Sequence, residues 1–368
     1  MTALDAQMIS DMREAPAAVR RQDEALAEVL PLLADRLRRK PPHVVVTCAR
    51  GSSAHAATFG KHLIERYLGI VTAAAAPNIT TIYHQRLHLA DQLFLAISQS
   101  GESSYIIEQA VAVRSCGAVT ACITNDSASG LAQACEFVLP MEAGPELSIP
   151  ATKTFVASVA ALARVVSVWA KNRALASALR TLPDRLAAAG DLDWSCVLER
   201  MAGAESLVTI GRGPTLAIAR EAALKLKETS NLHAESFSSA EFLHGPIALV
   251  APQYPVLMFA PTDAAVAGMT QLAADLRAKG AAVFITSSEE GTPDRLPALL
   301  PDHPETDAIC LIQSFYAMVV RLAAMRGKNA DRPRHLRKIT RTRRMPACSR
   351  NPMAPSAIRR GFRPQSEA

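Results

Sequence analysis

Eight ionisable side chains crowd into residues 221–244: Glu221, Lys225, Lys227, Glu228, His233, Glu235, Glu241 and His244. On a helix, Glu221, Lys225 and Glu228 fall at spacings of four and three and share one face, with Lys227 directed elsewhere. A solvated salt-bridge face is the ordinary explanation for such a run. The stretch "HAESFSSAEFLHGP" (233–246) argues against it, with two histidines and two carboxylates inside twelve residues and a closing turn that would fix an imidazole in place. Carboxylates and imidazoles move protons near neutral pH, and a lysine stabilises charge that develops beside them.

Two loops offer a different chemistry. "ARGSSAH" (49–55) and "SQSGESS" (98–104) each follow an apolar run and precede a helix-like stretch. Backbone N–H groups at a helix start favour an anion, glycine lets the backbone approach it, and serines add short donors. Neither loop carries GK[ST] or GxGxxG, which argues against a Walker-type site and a dinucleotide. Serines also cap helices and glycines also make turns. Two Ser-rich loops at neighbouring strand ends favour an anion site.

The elements that would position these residues alternate strand and helix, the pattern of a parallel sheet covered on both faces. Strands are expected at 43–49, 93–98, 118–124 and 137–141, with helices at 53–69 and 151–172. The second half repeats the plan, with strands at 207–213, 256–261 and 282–287 and helices at 216–231, 264–279 and 308–327. "TCARGSSAHAA" and "TIGRGPTLAIA" are parallel in design, which indicates duplication with a boundary near 173–200. Open sheets of this kind bind ligands beyond the carboxyl ends of their strands.

Composition narrows the class. The chain has 368 residues, about half of them hydrophobic, enough for two domains. No apolar run approaches the ~20 residues that a membrane-spanning helix needs, and the N-terminus reads as one amphipathic helix with no leader, so a cytoplasmic protein is expected. Seven scattered cysteines without a CxxC pair suit buried thiols, and the nine histidines show no metal-ligand spacing. The net charge of +6 lies entirely in residues 341–368, which hold seven arginines and one glutamate. A neutral body argues against a nucleic-acid groove. The Pro- and Arg-rich tail is expected to be disordered from about 343.

"SQSGES" after an apolar strand, with "RGSSAHA" before it, resembles the sugar isomerase (SIS) fold, which binds phosphosugars. Residues 210–250 resemble the isomerase half of glutamine:fructose-6-phosphate amidotransferase over their whole length. The likeness runs from about 40 to 340, through "AGPELSIPATKTF" (143–155) and "RPRHLRKIT" (332–340). It implies an α/β protein of two tandem SIS domains, each a three-layer αβα unit, at 41–180 and 200–343. An N-terminal helical segment (1–40) would precede them and a basic tail (344–368) would follow.

The resemblance also implies roles. Aldose–ketose chemistry needs a base between C1 and C2, a group that opens the sugar ring and a cation near the open-chain carbonyl. Glu228 matches the base. His244 matches the ring-opening histidine, which in this family comes from the neighbouring subunit, so a homodimer is expected. Lys338 matches the lysine that closes over the open chain. Glu221 and Lys225 match residues lining the pocket, and Gly51, Ser52, Ser53, Ser98, Gln99, Ser100 and Ser103 match contacts to the phosphate and sugar hydroxyls. His233 and Glu235 match the motif, in either a direct or a supporting role. Ala151 stands where the amidotransferase has a serine, and Arg50 precedes Gly51.

The amidotransferase carries a glutaminase domain with an N-terminal cysteine nucleophile, whereas the first cysteine here is Cys48. "HAESFSSAEFLHGP", "RGSSAHA" and "LRKIT" are similar to SIS-type glucosamine-6-phosphate deaminases. The expected reaction is therefore D-glucosamine 6-phosphate plus water to D-fructose 6-phosphate plus ammonia, with no metal or organic cofactor. The alternatives are a fructosamine-6-phosphate deglycase, a galactosamine-type deaminase and a non-enzymatic sugar-phosphate sensor.

Overall fold

The computed structural model describes residues 6–338. The runs rich in Val, Leu and Ile become the strands of two parallel sheets. The first contains β1 (Val44–Ala49), β2 (Val71–Ala74), β3 (Leu93–Ile97), β4 (Val119–Thr124) and β5 (Phe137–Pro140), in the order β2-β1-β3-β4-β5. Every position of β3 and β4 is buried, as a parallel strand covered on both faces requires. The second contains β6 (Ser206–Gly211), β7 (His233–Ser238), β8 (Pro255–Phe259), β9 (Ala282–Ser287) and β10 (Arg295–Pro297), in the order β10-β9-β8-β6-β7. Read from β7, this order repeats that of the first sheet. The duplication expected from the two Arg-Gly loops is thus present in the topology.

β2, β7 and β10 lack a sequence signal for a physical reason. All three are edge strands, and each buries a single residue: Thr72 in β2, Ala234 in β7 and Leu296 in β10. "HAESFS" is β7, and His233 and Glu235 lie exposed on it.

The N-terminal segment is three helices, Gln7–Arg13, Ala15–Leu26 and Val29–Arg39, where the sequence suggested one through residue 26. The first break falls at Glu14, two residues before Pro16, which lacks the N–H that a continuing helix would use. These helices pack on Lys153–Trp169, a helix buried at almost every position. The buried Arg164 within it donates to Gln22 Oε1 at 2.7 Å, Val19 O at 2.9 Å and Asp23 at 2.9 Å, so its charge is paired and each guanidinium nitrogen has an acceptor.

One continuous core runs from the N-terminal helices to Lys153–Trp169, Ser52–Leu68, Thr215–Ser230 and Pro304–Met325, and it joins the inner faces of both sheets. The outer face of each sheet has its own smaller core. The helix Arg173–Gly190 occupies much of the expected boundary. Pro304–Met325 is the one described helix long and apolar enough to cross a membrane, which the sequence reading missed; 78% of its apolar window is buried within this core. The tail beyond 343 lies outside the described residues.

Candidate active site

In each sheet the strand order reverses at one point, between β1 and β3 and between β6 and β8, where a crevice opens at the carboxyl ends. At the first point β1 empties into Arg50, Gly51, Ser52 and Ser53, and the helix Ser52–Leu68 begins at once. β3 empties into Ser98–Ser103, which leads directly into the helix Ser104–Ser115. The second loop is fixed from within: Gly101 N–H donates to Ser98 Oγ at 3.3 Å, Glu102 N–H donates to Ser100 Oγ at 3.3 Å, and Asn125 N–H donates to Gln99 O at 3.0 Å. Gly101 has φ +63°, and a Cβ there would stand 2.0 Å from Ser129 Oγ, so only glycine fits.

A cavity of about 560 Å³ opens over these loops, with Gly51, Ser52, Ser53, Ser98, Gln99, Ser100 and Ser103 in its wall. The opposite wall comes from the helix Thr215–Ser230 of the second half, which contributes Lys225 and Glu228. Lys338 closes one side. The serine-rich loops and the Lys225–Glu228 pair therefore face one cavity, although more than a hundred residues separate them.

Lys225 is wholly buried, forms an ion pair with Glu228, and lies 3.4 Å from Glu221. Burial alone would favour a neutral amine, but the carboxylates of Glu221 and Glu228 prevail and hold the ammonium above its ordinary pKa. Lys338 donates to Glu146 Oε2 and to Ser148 O, both at 2.7 Å. Glu146 is buried and also accepts from Thr152 N–H at 2.8 Å and Thr154 Oγ1 at 2.8 Å, which folds residues 146–154 around it.

Two expected residues stand elsewhere. Glu221 is fully buried behind the wall rather than in it, because its carboxylate is taken by Ser52 Oγ and His55 Nδ1, each at 2.8 Å. Burial opposes ionisation of Glu221, yet Lys225, His55 and Ser52 together hold its pKa below the ordinary value. The hydroxyl of Ser52 is thus engaged by Glu221. His244 is exposed, at the end of the short helix Ser239–Leu243, outside the cavity wall of its own chain.

His55 and Glu146 are functional candidates that the sequence reading passed over. Their partners lie 166 and 192 residues away, and no local spacing announces such contacts. Arg50, Ile149, Ala151 and Arg337 also line the cavity.

The crevice between β6 and β8 is closed by side chains of the first half. The His62 ring lies against Gly213, and Arg66 donates to Asp263 at 2.8 Å and Glu305 at 3.1 Å. Glu305 has no exposed side-chain surface and also faces His303 at 3.1 Å. Burial would raise its pKa, but His303, His62 and Arg66 bring it down to about 2.

Comparison with known proteins matches this architecture. The family model described as the SIS domain fits residues 39–167 and 200–326. Glutamine–fructose-6-phosphate aminotransferase (isomerizing) of Symbiobacterium thermophilum is 32% identical over 361 residues, covering 90% of this chain and 58% of its own. The enzyme of the same name from Aeropyrum pernix is 32% identical over 354 residues, covering 90% and 56%. The chain therefore spans a little over half the length of these relatives. Among solved structures, a protein of Silicibacter pomeroyi DSS-3, provisionally assigned as a phosphosugar isomerase, is 41% identical with a TM-score of 0.84, covering 89% of this chain and all of its own. Glucosamine-6-phosphate deaminase of Thermotoga maritima, at 21% identity and a TM-score of 0.72 over 92% of this chain and all of its own, shares the fold. With two matched SIS domains over most of its length, the chain belongs to the SIS-domain family.

Proposed function

We propose that this protein isomerises an amino sugar phosphate and releases its amine, converting D-glucosamine 6-phosphate and water to D-fructose 6-phosphate and ammonia. The observation that carries this reading is the shared cavity, in which the serine loops of one half face Lys225 and Glu228 of the other. The phosphate lies at the loops, where helix starts and hydroxyls favour a dianion. Glu228 moves the C2 proton to C1, leaving a ketose imine that water hydrolyses to the ketose and ammonia. Lys338, held by Glu146, presents a cation to the open chain. Opening of the ring falls to His244 of a second subunit, consistent with its exposed position outside the cavity of its own chain. The homodimer and the cytoplasmic location expected from the sequence belong to the same proposal.

The resemblance of "HAESFSSAEFLHGP" and "RGSSAHA" to SIS-type deaminases supports ammonia as the product. A fructosamine-6-phosphate deglycase is the second reading, favoured by a cavity of about 560 Å³ that admits a larger leaving amine. Amine release measured across glucosamine 6-phosphate, galactosamine 6-phosphate and fructoselysine 6-phosphate separates these readings. Glu228→Gln should abolish turnover and leave sugar phosphate binding within about tenfold. Normal ammonia release by that variant would sink the assignment, and binding without turnover by the unaltered protein would support a sensor.

A further inference from the structure

A chain of buried contacts links the proposed base to the anion loop of the other half. Glu228 pairs with Lys225, Lys225 lies 3.4 Å from Glu221 Oε1, and that oxygen accepts from Ser52 Oγ at 2.8 Å. The other oxygen of Glu221 lies 2.8 Å from His55 Nδ1. An ionised carboxylate can only accept, so the ring donates from Nδ1. Both donors belong to the helix Ser52–Leu68, whose first turn forms the anion loop. Glu221 and Lys225 are wholly buried.

The charged and titratable groups around Glu221 are few. Lys225 and Glu228 stand on its own helix, His55 on the Ser52 helix and Tyr316 on the Pro304 helix, with Glu146 beyond Lys225. Tyr316 has a buried hydroxyl without a hydrogen-bond partner among the described residues and offers Glu221 no compensation. A buried carboxylate that loses a donor takes up a proton more readily. With Glu221 ionised, the Lys225 ammonium is divided between two carboxylates. With Glu221 protonated, that ammonium is left to Glu228 alone, and its pull weakens Glu228 as a base.

We propose that His55 is a positioning residue for proton transfer: its Nδ1–H keeps Glu221 ionised, which shares out the charge of Lys225 and leaves Glu228 a competent base. The contact also places the base and the anion loop on one network, so that a shift of the loop reaches the base through Glu221. The inference rests on the reading of Glu228 as the base.

The test compares kcat and KM between pH 5 and 9 for the unaltered protein, Glu228→Gln, His55→Ala and His55→Asn, with glucosamine 6-phosphate as substrate. Asparagine places an amide N–H where Nδ1 stood. His55→Ala should lower kcat at pH 7 about tenfold and hold KM within about threefold. Its acid limb in kcat should move up by about one pH unit, since Glu221 then protonates in the working range. His55→Asn should bring the limb back toward that of the unaltered protein. An acid limb in His55→Ala that coincides with the unaltered one overturns the proposal, as does an Asn variant no closer to it than Ala. Should His55→Ala fail to fold, Ser52→Ala removes the other donor and must move the limb the same way; an unmoved limb overturns the proposal. Turnover retained by Glu228→Gln removes the base itself, whatever the His55 variants do.

Discussion

Lys338 and Glu146 stand 192 positions apart in the chain, and their side chains meet at 2.7 Å beside the cavity. The partner carboxylate is buried and anchored by Thr152 and Thr154, so the lysine is held by a rigid group. Lys338→Ala should lower kcat/KM at least about tenfold. Glu146→Gln keeps the shape but removes the charge, and should cost less, about three- to tenfold. Steady-state kinetics on both variants checks the order, and a larger loss in Glu146→Gln would contradict the role given to Lys338.

The anion loop predicts an effect on binding. Ser98→Ala and Ser100→Ala should raise KM about tenfold and change kcat by less than about threefold. Both hydroxyls also accept from loop N–H groups, so each variant loosens the loop that meets the ligand.

Gly101 is the position where that loop admits no side chain. Gly101→Ala forces a positive φ on a residue with a Cβ and drives that Cβ against Ser129. A loss of about 1–3 kcal/mol in denaturant unfolding is expected, with a raised KM. Unchanged stability would show that the loop relaxes freely.

Glu305 ties the two halves through Arg66 and His62 and predicts a pH dependence of stability. Its folded-state pKa, brought down to about 2, lies below the ordinary carboxylate value of 4.5. The stabilisation is therefore present above about pH 4.5 and is lost as pH falls through 2. Its upper limit at neutral pH is on the order of 3 kcal/mol. Urea unfolding of Glu305→Gln should show a gap to the unaltered protein at pH 7 that narrows by pH 3. A gap that does not change with pH would contradict this account.

Much of this protein was legible in its sequence. The buried strands were, because a parallel strand covered on both faces must be a near-continuous apolar run, as in β3 and β4. So was the duplication, through the repeated Arg-Gly turn, and so were the hydroxyl loops and the helical Glu-Lys-Glu face, which follow from local spacing. The edge strands β2, β7 and β10 were not, because a strand with an exposed face need not be apolar. The break at Glu14 and the membrane-length composition of Pro304–Met325 also went unread. Tertiary structure alone decided that Glu221 stands behind the wall, that Ser52 and His55 hold it, that Glu146 holds Lys338, and that His244 lies outside its own chain's cavity. These outcomes depend on which helix packs against which, and contacts across 166 to 192 residues leave no periodicity in either partner.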